Sequence, residues 1–166
     1  MGIVYFNNTV TKYPNTPTVL LPFQANADAL IDNVRSVSAT DCTALGGGIL
    51  TATRGFDGAA NHQKHVIVFT NGMQNCSPMV TAVGARHQIL DDPSPPCCDS
   101  GVPDEPGVYV ADYDVKAIHT IGTGATGASW INLIVDLAME TGGTNHFTDA
   151  PDEQLEDHFL EVLVEA

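Results

Sequence analysis

His65–Thr70 reads HVIVFT, and this run decides the fold. Apolar or β-branched side chains occupy nearly every position, without the polar alternation of a strand that keeps one face in water. The run predicts a central strand of a parallel sheet, covered on both faces.

Working outward, Val115–Ile121 (VKAIHTI) reads as the next strand, and Trp130–Glu140 (WINLIVDLAME) as a strong helix stopped at Gly142-Gly143. Thr144–Phe147 is a brief strand, and Gln154–Val164 (QLEDHFLEVLV) a closing amphipathic helix. Upstream, the spacing predicts a helix over Leu45–Arg54, opened by the glycine run Gly46–Gly48. Ala29, Leu30, Ile31 and Val34 share one face of a helix over Ala25–Val37. Thr18–Phe23 (TVLLPF) reads as a strand in which Pro22 suits an edge, and Gly2–Phe6 (GIVYF) as a buried strand ending in Asn-Asn. Strands alternating with helices argue an α/β chain built on a mostly parallel sheet.

Between the third and fourth strands lies a different kind of sequence. Residues 75–114 hold three of the four cysteines and more than half of the prolines, too much Pro and Gly for one crossover helix. This segment reads as a disulfide-pinned excursion from a single domain spanning 1–166, with at most a short helix around Val80–Leu90.

The 166 residues suit one domain with a packed core, since 43% are apolar. Only 16% are charged, yet 20 Asp and Glu face 6 Lys and Arg, for a net charge of −14. Such a surface repels phosphate backbones and anionic lipid, which argues against nucleic-acid and membrane partners and leaves cations and basic protein faces attractive. No stretch is long and apolar enough to predict a membrane span.

Cys42, Cys76, Cys97 and Cys98 form no CxxC pair and have no histidine at zinc-finger spacing, so disulfides in an exported protein are the better reading, against buried free thiols. A bond between the neighbours Cys97 and Cys98 would close a strained ring, which favours Cys42 and Cys76 each joining one of them. The start, MGIVYFNNTVTKYPN, has neither the basic segment nor the apolar length of an export signal, so cysteine use and N-terminus disagree; one way to reconcile them is that Met1 is not the natural start of the mature protein.

Several catalytic signatures are missing from the sequence: no GxSxG elbow, no HExxH, and no glycine loop followed by Lys-Ser or Lys-Thr. His62 and His65 read as a surface and a core histidine, and His119 as a satisfied sheet residue. Gly122–Gly127 (GTGATG) matches GxGxxG between a strand and a helix, with Asp149 twenty-two residues beyond Gly127. That is the pattern of a dinucleotide phosphate on a helix N-terminus. Only 39 residues follow Gly127, too few to build the rest of a nucleotide crevice, so a glycine-rich turn is the stronger reading. Asn7-Asn8-Thr9 and Asn75-Cys76-Ser77 are glycosylation sequons in form.

Five fragments in order carry the main functional signal: GIVYF, DCTALGGGI (Asp41–Ile49), HVIVFTNGMQN (His65–Asn75), VKAIHTIGTG (Val115–Gly124) and LAMETGGTNHF (Leu137–Phe147). Together the chain resembles the von Willebrand factor type A domain, especially exported bacterial members, over nearly its whole length outside the excursion. The resemblance implies a doubly wound sheet flanked by helices. It also implies a metal-ion-dependent adhesion site at the carboxyl ends of the strands, where magnesium or calcium is held by hydroxyl and carboxylate oxygens.

Carried across by motif, the threonine ligand falls on Thr43, and the aspartate of the family's T-D-G falls on Asn71, which removes one negative charge. The D-x-S-x-S motif has no counterpart before GIVYF; Asp92-Pro93-Ser94-Pro95-Pro96 lies at the wrong place in chain order. The resemblance therefore implies a fold incomplete at its N-terminus, lacking a central first strand, and a degenerate site with weak or no metal binding. Such a gap is filled by a longer product, by a strand from a partner chain, or by direct pairing of the flanking strands. In this picture Cys42 and Cys76 lie near the same rim of the sheet, where bonds to Cys97 and Cys98 fasten the excursion. The expected function is a secreted or cell-surface module that binds protein without catalysis. The alternative is an assembly or filament subunit that self-associates, with a nucleotide-binding enzyme a distant third.

Overall fold

The computed structural model describes residues 4–6, 10–12, 42–56, 63–71, 73–92, 98–123 and 127–148. Elements expected over Thr18–Phe23, Ala25–Val37 and Gln154–Val164 lie outside them. Contacts group the chain into two compact units. The first comprises Met1–Ala59, Gln74–Val80 and Ile89–Glu105, and the second Ala60–Met73, Thr81–Gln88 and Pro106–Ala166.

In the second unit, strands β3 (His65–Thr70), β8 (Ala117–Thr123) and β9 (Asn145–Thr148) form a three-stranded parallel sheet in the order β3-β8-β9. The register pairs His65 with Ala117 through Thr70 with Gly122, then Thr120 with Asn145 through Thr123 with Thr148. Helix α2 (Ala128–Thr141) buries Trp130, Ile134, Leu137 and Ala138, one stripe at helical spacing. Its stripe meets β8: the Thr120 hydroxyl donates to the Ile134 carbonyl at 2.9 Å, and the Ile118 N–H donates to the Thr141 hydroxyl at 3.0 Å. Burial of Ile118, Ile121, Ile134 and Leu137 supplies the apolar stabilisation here, about 1.5–3 kcal/mol for each side chain. The helix ends as Gly142-Gly143 predicts. Gly142 takes φ 74°, and the Gly143 N–H reaches back to the Ala138 carbonyl at 2.8 Å, satisfying a carbonyl the helix leaves open.

Parallel pairing of His65–Thr70 is as expected. Among the described residues β8 has neighbours on both edges and is buried from Ala117 to Gly122, and β3, which pairs with β8, leaves Phe69 48% exposed. The strand read at Val115–Ile121 therefore begins two residues later and runs to Thr123, while the sheet strand read at Thr144 begins at Asn145.

In the first unit, β1 (Val4–Phe6) pairs antiparallel with β2 (Val10–Lys12) as a separate two-stranded sheet. Direct pairing of β1 with β3 in a contracted sheet is not found among the described residues. Helix α1 spans Leu45–Arg54 as read, and the glycine run lies within it rather than ahead of it. Three glycines in a helix cost roughly 0.5–1 kcal/mol each against alanine, and close packing explains Gly46 and Gly48. A Cβ on Gly46 would collide with the Pro78 carbonyl, and one on Gly48 would stand 2.6 Å from the Phe6 ring. Leu45, Ile49 and Leu50 are buried on the same helix, and Arg54 at its end pairs with Glu105 at 2.5 Å.

The short helix considered for Val80–Leu90 is instead a hairpin of β5 (Met79–Val83) and β6 (Arg86–Leu90). Its two-residue turn places Gly84 first with φ +69°, the left-handed backbone that a type II′ hairpin turn needs there. Two further short strands, β4 (Cys76–Ser77) and β7 (Cys98–Asp99), pair in parallel through the rest of the excursion.

Candidate functional site

The parallel pairing of β4 with β7 sets Cys76 directly opposite Cys98, with Cα atoms 4.6 Å apart, and the two form a disulfide. Cys42 is also disulfide-bonded, and its sulfur lies with those of Cys76 and Cys98 within 4.8 Å of one another. Cys76 thus joins one member of the Cys97/Cys98 pair, as the ring-strain argument favoured; Cys97 itself lies outside the described residues.

What holds Cys42 beside Cys76 is non-covalent as well. The Thr43 N–H donates to Asn75 Oδ1 at 2.6 Å, and the Asn75 N–H donates to the Thr43 carbonyl at 3.1 Å. One step along, the Ser77 hydroxyl accepts the Asp92 N–H at 2.9 Å, and the Ser77 carbonyl accepts the Ser100 N–H at 2.8 Å. Asn75 and Ser77 of the second sequon are thereby drawn into the folded structure, with Ser77 only 2% exposed. The Thr43–Asn75 link escaped sequence reasoning because the residues are 32 apart and both are ordinary loop polars.

Of the two residues aligned with the family's metal motif, Thr43 belongs to the first unit and Asn71 to the second. Asn71 is exposed just past the end of β3. Beside it in the chain stand two large apolar side chains open to solvent, Phe69 at 48% and Met73 at 58%. The Met73 sulfur comes within 4.0 Å of the space beside Gly127, which precedes α2. Gly124, Ala125 and Thr126 of the GTGATG run lie outside the described residues.

His65 and His119 stack with ring centroids 5.3 Å apart, and His65 Nδ1 lies 3.0 Å from His119 Nε2. The Thr144 N–H donates to His119 Nδ1 at 3.2 Å and the Thr144 hydroxyl lies 2.9 Å from the same nitrogen, an arrangement that suits a neutral ring with its hydrogen on Nε2, facing His65. His119 is thus a satisfied sheet residue, as read. Burial, and secondarily the Lys116 ammonium, hold the His65 pKa below its usual value. In the first unit, burial raises the Asp91 pKa, helped by the charges of Asp104 and Asp99.

Compared with protein-family models and with curated proteins, the chain matches none. No helix among the described residues is long and apolar enough to cross a membrane.

Proposed function

We propose that this chain is an exported protein-binding module of the von Willebrand factor A type, with a doubly wound topology and a degenerate metal site. One observation carries the binding role: Phe69 and Met73 are exposed around the carboxyl end of β3. Open parallel sheets take ligands at that end of their strands, and aromatic residues and methionine are enriched where proteins meet. Thr43 and Asn71 supply at most a hydroxyl and an amide oxygen to a cation, so partner recognition rests on the apolar rim. The disulfide supports an oxidising compartment.

Photo-crosslinking tests this. A photoreactive residue at Phe69 or Met73 is expected to trap one discrete protein from the natural host, while the same residue at Met139, exposed on α2, traps none. Equal trapping at all three positions sinks the reading.

A second reading is an assembly subunit completed by a strand from a partner chain. It predicts an adduct of two copies of this chain, together with sedimentation coefficients that rise with concentration.

A further inference from the structure

We propose that Cys42, Cys76 and Cys98, once reduced, bind a soft divalent cation, with zinc as the natural choice. Their three sulfurs already lie within 4.8 Å of one another, with Cys76 buried and the other two half-buried. Zinc holds thiolates at about 2.3 Å in a tetrahedron, which puts sulfurs about 3.8 Å apart. Side-chain rotation supplies that difference without moving the backbone far.

Hydrogen bonds as well as disulfides hold the cluster together. The paired hydrogen bonds of Thr43 and Asn75 hold Cys42 against Cys76, and the Ser100 N–H to the Ser77 carbonyl holds the Cys98 strand. Neither set involves a sulfur atom, so reduction leaves their donors and acceptors chemically unchanged. Three thiolates select zinc or another soft ion over magnesium and calcium, and the acidic surface attracts any cation. The fourth coordination position falls to water or to a further donor of the chain. Because a sulfur cannot hold a disulfide and a zinc ion together, the oxidised and metal-bound forms exclude each other.

The chemistry balances with a phosphine reductant. Each S–S bond takes up two hydrogens from water while the phosphine becomes its oxide, and zinc then displaces the thiol protons as Zn–S bonds form.

The test uses the full chain, oxidised or phosphine-reduced, gel-filtered after exposure to zinc or to cobalt(II). The reduced chain is expected to retain one zinc per molecule and, with cobalt, to show thiolate-to-metal charge transfer; the oxidised chain retains none. Cys42→Ser is expected to weaken zinc binding at least tenfold. Circular dichroism of the oxidised variant, in which Cys76 and Cys98 can still bond, reports its folding separately. A folded, reduced chain that takes up no zinc overturns the proposal, as does uptake that Cys42→Ser leaves unchanged.

Discussion

Thr43 and Asn75 grip each other through the Thr43 main chain, with the Asn75 side chain accepting at 2.6 Å and its N–H donating at 3.1 Å. The Thr43 hydroxyl takes no part in this link. Asn75→Ala leaves the Thr43 N–H without its acceptor, and a part-buried donor left unmade costs about 1–3 kcal/mol. Thr43→Val keeps both backbone bonds and is expected to cost less. Urea midpoints of the two variants, compared at equal slope, check the order; a larger loss in Thr43→Val would refute it.

Magnesium or calcium should bind weakly or not at all, with dissociation constants no tighter than the millimolar range expected of sites short of carboxylates, about 10⁻⁴–10⁻³ M. Asn71→Asp adds one carboxylate at the end of β3 and should strengthen any residual binding. Calorimetry decides: micromolar affinity in the unmodified chain, abolished by Thr43→Ala, would show an intact site.

The glycines of α1 should respond unequally. Gly46→Ala drives a methyl into the Pro78 carbonyl, which is backbone and has little room to yield, so a loss of about 1–3 kcal/mol is expected despite the better helix former. Gly48→Ala meets the Phe6 ring, which can swing aside, and should be milder. Thermal midpoints that fall more for Gly48→Ala would contradict the packing described.

Acid should loosen the second unit through His65. Its folded pKa lies below the unfolded value of 6.5, so as pH falls the unfolded chain takes up the proton first. The contribution of neutral His65 is therefore complete above pH 6.5 and is lost as pH falls through the folded pKa. Asp91 has the opposite sign, since its raised pKa favours proton uptake by the folded state, but it acts lower, in the carboxylate range. His65→Gln should flatten the slope of stability between about pH 7 and 5; an unchanged slope would assign it elsewhere.

Parts of this fold are legible from local pattern alone. The apolar run of His65–Thr70, the stripe from Trp130 to Ala138 and the stop at Gly142 each follow from side-chain periodicity or from a backbone that only glycine tolerates cheaply. The place of β8 between β3 and β9 was not, because an apolar run reports burial and not the number of neighbours. The hairpin at Met79–Leu90 carried its signal in Gly84 preceded by the β-branched Val80, Thr81 and Val83, but the proline-rich surroundings masked it. At the candidate site, the Cys76–Cys98 bond could be narrowed by ring strain. The Thr43–Asn75 link and the His65–His119 stack depend on register between distant segments, which no local pattern encodes.

The hydrogen bonding of His119 also bears on how the sheet is held. Its Nδ1 meets the Thr144 N–H at 3.2 Å and the Thr144 hydroxyl at 2.9 Å, and its Nε2 lies 3.0 Å from His65 Nδ1. The other His65 nitrogen lies 3.4 Å from Gln63 Oε1. Two imidazoles thus add a side-chain rivet between β3 and β8 to the backbone ladder of the sheet and extend it to the residue just ahead of β9.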